Sequence, residues 1–185
     1  PLVYAARGGH MAVCQLLLEH GASSNITGMD GATPLLVALR RGDWPLCLAL
    51  VQAGCHLDVK DPAADSQRAL ELAMLYGQLD LSTEMVNRGA DLNWHQAEGH
   101  RAPPLLLALS ARWKGLALAM IVKGVNPNSR RADGIGPLQL SALQGWDDVS
   151  EALLDAGADV CPQAGGTSIF IHFLEKGCLR LCLRL

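Results

Sequence analysis

The stretch Asn87-Arg88-Gly89-Ala90-Asp91-Leu92-Asn93 ends an apolar run and begins a turn, and it has four counterparts along the chain. These are EHGASSN (19–25), QAGCHLD (52–58), VKGVNPN (122–128) and DAGADVC (155–161), so Gly21, Gly54, Gly89, Gly124 and Gly157 stand 33, 35, 35 and 33 residues apart. A glycine between an apolar stretch and turn residues predicts a helix stop, because glycine alone takes the left-handed conformation there without strain.

Working back from each glycine, the residues twelve earlier are Gly9, Gly42, Gly77, Arg112 and Gly145. Four residues after these come Val13, Leu46, Leu81, Leu116 and Val149, and eight after them Leu17, Leu50, Met85, Met120 and Leu153. The ninth column, Leu18, Val51, Val86, Ile121 and Leu154, completes the stripe of a helix of about three turns. The fifth column, Cys14, Cys47, Ser82, Ala117 and Ser150, holds small residues throughout, as close helix packing requires. A shorter helix precedes each of these, marked by Leu2, Leu35, Leu70, Leu105 and Leu138, with Ala5, Ala38, Ala73, Ala108 and Ser141 three residues on. It opens at Pro1, Pro34, Ala69, Pro104 and Pro137, and proline in the first helical position removes an amide that would lack a partner anyway. Asp30-Gly31, Asp65-Ser66 and Asp133-Gly134 read as the turns before the short helices.

Each unit is thus a turn, a short helix, a tight connection, a longer helix, a glycine stop and an extended lead into the next turn. With Thr33-Pro34-Leu35 as an opening and Gly89-Ala90-Asp91-Leu92-Asn93 as a closing motif, this pattern resembles the ankyrin repeat family. The resemblance implies an all-α solenoid of helix-turn-helix repeats with short β-hairpin or loop fingers. It spans nearly the whole chain as one domain, with units near 1–29, 30–64, 65–99, 100–132 and 133–163 and an incomplete sixth over 164–185. The family's opening histidine is replaced by Val3, Leu36, Glu71, Leu106 and Gln139, which predicts weaker polar ties between repeats and greater reliance on aliphatic packing. Two extra residues in each of the connections 58–68 and 93–103 predict longer fingers there. The last stretch, Cys178 to Leu185, alternates like a strand, but the register reads it as the second helix of the sixth unit. The first unit lacks its opening turn and the sixth is short, so the array is expected to continue at both ends.

Composition narrows the function. Half of the 185 residues are hydrophobic, 18% are charged and only 4% aromatic, which predicts a folded, aliphatic, helical core. A net charge of −3 supplies no basic footprint for nucleic acid. The longest apolar runs, 103–111 and 115–122, are too short to cross a bilayer. The six cysteines are dispersed and three, Cys14, Cys47 and Cys182, share the small column, which predicts packing residues in a reducing, intracellular, most simply cytoplasmic setting.

No nucleophile, base and orienting group stand in a recognisable pattern, and Gly165-Gly166-Thr167 lacks the spacing and the lysine of a phosphate loop. His95, Glu98 and His100 share one finger with no nearby cysteine, so they read as solvated loop residues and not as a zinc site. No cofactor or metal is expected, and an enzymatic role is not. Four tryptophans are placed by the register: Trp113 and Trp146 share a column and are expected as spatial neighbours, Trp44 lies one residue later, and Trp94 follows Asn93. They are read as core or, where exposed, as anchors for a partner.

The candidate partner-binding residues are therefore Lys60, Asp65, Trp94, Arg101, Trp113, Arg130, Arg131 and Trp146, with Arg101, Arg130 and Arg131 as a basic group able to receive an acidic segment. Asn93 also resembles the asparagine that an intracellular hydroxylase modifies in this family, and its plainer role is to brace the hairpin backbone. The functional expectation is a non-enzymatic protein-interaction module, part of a larger adaptor or scaffold, presenting a concave face of fingers and short helices. Its alternative is a structural spacer in a multidomain protein.

Overall fold

A computed structural model describes residues 1–61, 67–94, 102–131 and 133–160. The chain divides into two compact units, Pro1–Asp91 and Leu92–Leu185. Each is a stack of helix pairs, the all-α repeat solenoid class that the register implies.

The first unit contains α1 (Leu2–Gly8), α2 (Met11–Glu19), α3 (Pro34–Arg41), α4 (Trp44–Gln52), α5 (Ala69–Leu75) and α6 (Leu79–Asn87). Between α4 and α5 runs a two-stranded antiparallel finger, β1 (Lys60–Asp61) against β2 (Gln67–Arg68), in which Lys60 faces Arg68 and Asp61 faces Gln67. Its tip, 62–66, lies outside the described residues. Short helices pack on short helices, α1 on α3 and α3 on α5, while the longer ones form a second layer, α2 on α4 and α4 on α6. The second unit repeats this with α7 (Pro104–Ser110), α8 (Lys114–Val122), α9 (Pro137–Gln144) and α10 (Asp147–Asp155), α7 meeting α9 and α8 meeting α10.

Local chemistry explains where these helices start and stop. Pro34, Pro104 and Pro137 open their helices, and Thr33 accepts a hydrogen bond from the Leu36 amide as an N-cap. At each of the five ruler glycines the residue after it donates its amide to a carbonyl five residues back, as Ala90 does to Met85 at 3.1 Å and Ala158 to Leu153 at 2.9 Å. That double closure of the last turn needs φ near +80°, and Gly54 and Gly89 take +77° and +90°.

Burial follows the columns. Every residue of the small column, Cys14, Cys47, Ser82, Ala117 and Ser150, is buried, and the two serines satisfy their hydroxyls locally: Ser82 donates to the Gln78 carbonyl at 2.6 Å, and Ser150 lies 2.8 Å from the Ser141 hydroxyl. In the fourth column Leu46, Leu81, Leu116 and Val149 are at most 4% exposed, whereas Val13 in the first repeat is 47% exposed. Helix α2 buries only Cys14 fully.

The expected weakness of polar ties has a different outcome from the one the missing histidines suggest. Leu36 and Leu106 do fill the histidine column with buried aliphatic side chains, but the polar ties run through another column. Asn25 accepts the His56 amide at 2.7 Å, Asp58 the Asp91 amide at 2.8 Å, Asn93 the Asn126 amide at 2.8 Å, and Asn128 the Asp159 amide at 2.7 Å. One side-chain oxygen per repeat thereby anchors the start of the next repeat's extended segment. The reading of Cys178 to Leu185 as a helix, and the sixth unit as a whole, lie outside the described residues.

Candidate interaction surface

The fingers stand on the Asn/Asp ties, which fix the backbone at their bases. Two finger turns share one design. Gly28 donates to the Ala32 carbonyl at 2.8 Å and the Ala32 amide reaches Asp30 Oδ1 at 3.3 Å; likewise Arg131 donates to Ile135 at 3.0 Å and the Ile135 amide reaches Asp133 Oδ1 at 3.1 Å. The aspartate in each case makes the local side-chain turn that lets a short loop reverse.

Ion pairs join these fingers to the short helices in the first unit. Arg7 and Arg40 occupy the same position of α1 and α3; Arg7 pairs with Asp30, and Arg40 stands 4.0 Å from Asp30 and bonds Asp61 through Nε at 2.9 Å. Asp61 is buried beneath that contact, and its hydrogen bond raises the Arg40 pKa further above its ordinary value. Arg68 lies 3.5 Å from Asp91. A chain of alternating charge therefore rigidifies the finger bases.

Of the sequence-derived candidates, Lys60 is exposed on β1 and Arg131 is exposed with Nε 3.7 Å from Asp133 of its own finger. Arg130 is half-buried and donates through Nη1 to the Gly134 carbonyl at 3.2 Å, so it braces the finger from inside. Trp113 and Trp146 are half-buried at the N-cap positions of α8 and α10. No ring contact between them is found among the described residues; the ring pair present there joins Trp44 to Tyr76, centroids 5.5 Å apart. Trp94 is 2% exposed and belongs to the core, which corrects its selection as an anchor: an indole enclosed on all sides has no face for a partner. Asp65 and Arg101 lie outside the described residues, as do His95, Glu98 and His100.

Asn93 is half-buried and uses both ends of its amide. Its oxygen takes the Asn126 amide at 2.8 Å, and its nitrogen faces the Gly124 carbonyl at 3.5 Å. Asn128 repeats the arrangement with Gly157 at 3.1 Å and Asp159 at 2.7 Å. Asn25, Asp58 and Asn128 are frame residues that the sequence reading passed over; the signal was present, since these three and Asn93 each stand four residues after their ruler glycine.

Other chemistry is muted. An open cleft of about 340 Å³ in the first unit is lined by Val51, Cys55, His56, Asp58 and Arg88, but Asp58 is committed to the Asp91 amide and Arg88 to Glu84 at 2.5 Å. Burial pushes the thiols of Cys47 and Cys55 up to about 12 and about 11, so both remain protonated and poorly nucleophilic. No cluster of metal-ligating side chains occurs among the described residues, and none of their helices is long and apolar enough to cross a membrane.

Comparison with known proteins agrees with the register. Residues 1–61 match the family model for ankyrin repeats, described as three copies. The chain is 29% identical over 184 residues to the ankyrin repeat and KH domain-containing protein mask-1 of Caenorhabditis elegans, covering 98% of this chain and 7% of that protein. It is 33% identical over 149 residues to the mouse (Mus musculus) ankyrin repeat and SAM domain-containing protein 6, covering 78% of this chain and 17% of the relative. A probable E3 ubiquitin-protein ligase, XBOS32, of Oryza sativa subsp. japonica is 27% identical over 177 residues, 86% of this chain and 31% of its own length. The chain thus spans less than a third of the length of each of these relatives.

Proposed function

The chain belongs to the ankyrin repeat family, and from that premise we propose that it is a non-enzymatic protein-interaction module serving a larger adaptor or scaffold. Ankyrin repeats are generally protein-interaction modules in multidomain proteins. The observation that carries the finer reading is the repeated tie from Asn25, Asp58, Asn93 and Asn128 to the next repeat, which holds finger bases in fixed register. Prepositioned contact points lower the ordering cost of binding, so a partner meets several weak sites at once.

Lys60 on a finger of the first unit and Arg131 on a finger of the second are exposed, and each is suited to meet an acidic side chain of a partner. Asp65 and Arg101 belong to the same proposed set by register. Trp113 and Trp146 offer half-exposed aromatic surface at the helix connections. A reducing intracellular setting, the cytoplasm in the simplest case, is supported by the free, buried state of Cys14, Cys47 and Cys55.

The test is a binding titration of purified proteins. A partner obtained by cross-linking in cells is expected to bind Lys60→Glu with Arg131→Glu at least about tenfold more weakly, while the unfolding transition stays in place. Arg130 is left intact in that variant because it braces the finger. A chain that retains no saturable partner would instead fit the spacer. Asn93 is proposed as a hydroxylation site only in states where its two side-chain hydrogen bonds open. Intact mass after treatment with an asparaginyl hydroxylase should show the gain of one oxygen, and an unchanged mass would leave Asn93 with the bracing role alone.

A further inference from the structure

The turn between paired helices carries a row of apolar side chains in the first unit that the repeat frame does not require. The first residue of each longer helix is Met11 in α2, Trp44 in α4 and Leu79 in α6. In the second unit the same position is taken by Lys114 and Asp147, and Lys114 Nζ pairs with Asp148 Oδ1 at 2.9 Å, which holds that carboxyl below its ordinary range. One chain therefore shows both a charged and an apolar solution for the same edge. The apolar one is substantial: Leu75 is 56% exposed, Tyr76 54% and Leu79 39%, and the Tyr76 ring stacks obliquely on Trp44 from the adjacent repeat. Leu75 takes the position that Arg7 and Arg40 hold in the two preceding repeats, so the row of arginines on the short helices gives way to an apolar residue there.

Charge brackets the row. At its α3 end Arg41 is exposed and extends over Gly9, where a methyl group would meet its guanidinium, and its Nη1 bonds the Arg7 carbonyl at 2.8 Å. At the α6 end stands exposed Asp80. Neither forms an ion pair among the described residues. The intervening Asp43 is half-buried and occupied as the N-cap of α4, accepting the Leu46 amide at 3.2 Å.

We propose that this edge, from Arg41 across Trp44 and Tyr76 to Leu79 and Asp80, is a docking surface for an extended partner segment reading acid, apolar, apolar, base. The opposed charges set the direction of the segment, and the ring pair with Leu79 supplies apolar burial. Adjacent packed helices lie about 8–10 Å apart, and Arg41 and Asp80 belong to adjacent repeats, one such step apart along the stack. An extended strand covers that distance in about three residues, so the four-residue pattern spans it. None of the five named residues belongs to a finger.

Selection of a phage-displayed random dodecapeptide library on the 185-residue chain tests this, followed by fluorescence-polarisation titration of the recovered peptides. The expected peptides carry the acid, two apolar residues and the base in order, and lose at least about tenfold in affinity on Tyr76→Ala. Arg41→Glu should weaken them too, with binding restored when the peptide's acid is changed to lysine. Tyr76→Ala gives up the ring contact with Trp44 and Arg41→Glu the bond to the Arg7 carbonyl, so binding is read well below each variant's own unfolding transition, and Leu75→Ser at an exposed position serves as a second apolar variant. Failure to enrich, or peptides that bind the Tyr76→Ala chain equally well, would overturn the proposal. So would peptides lost only on Lys60→Glu with Arg131→Glu, which would place them on the fingers. Sedimentation equilibrium showing a dimer that Tyr76→Ala dissociates would assign the edge to a second copy and overturn it as well.

Discussion

Arg112 stands where the other four repeats have glycine between their paired helices, and it takes φ of +60°. A side chain in the left-handed region costs on the order of 1 kcal/mol, partly offset by the chain entropy that a glycine would add. Arg112→Gly should therefore stabilise the chain by about 0.5–1 kcal/mol in urea denaturation; no gain would mean that the arginine makes a compensating contact. The cysteines give a pH-dependent counterpart. With folded-state values raised from 9.0 to about 12 for Cys47 and about 11 for Cys55, the folded state keeps protons that the unfolded state releases. Their contribution is fully present below pH 9 and is lost as pH rises through the 9–11 range and beyond. The thermal midpoint of the parent should fall more steeply over that range than that of Cys47→Ala with Cys55→Ala. Parallel curves would count against the burial of these thiols.

Among the helices, register translates directly into energy. Leu81 in α6 is enclosed, so Leu81→Ala should cost about 2–5 kcal/mol, whereas Val13→Ala at the equivalent, half-exposed position of α2 should cost less than about 1 kcal/mol. Equal losses at the two sites would show that α2 is covered in solution. The helix pairs, their proline starts and their glycine stops were legible in the sequence because each depends on local chemistry that recurs along the chain. The column of Asn25, Asp58, Asn93 and Asn128 was equally periodic, yet its role was not legible, since the donor whose hydrogen bond it accepts is a backbone amide 31–33 residues away. Trp94 shows the same limit from the other side: periodicity located it beside Asn93, but only three-dimensional packing determines that its ring lies inside. Trp44 and Tyr76 stand 32 positions apart and in different columns, so no repeat alignment could pair them.

On the scale of the whole molecule, the scaffold explains the repeated pattern and the exposed departures from it point to recognition. The ties and the alternating charges between Arg7, Asp30, Arg40 and Asp61 hold the first unit's fingers, and Lys60, Tyr76 and Leu79 are exposed beside them. Buffer comparisons distinguish the two surfaces. Binding through the fingers, governed by exposed charge, should weaken steeply with rising salt, while binding at the aromatic edge, where Arg41 and Asp80 add charge to apolar burial, should weaken less. The most direct test of the interaction-module reading is a calorimetric titration of the purified chain with its cross-linked cellular partner, repeated for the finger variant Lys60→Glu with Arg131→Glu and for the edge variant Tyr76→Ala. Saturable binding that at least one variant weakens about tenfold or more, with the variant still folded at the titration temperature, is the predicted result. Binding indifferent to both variants, or no saturable partner at all, would contradict it.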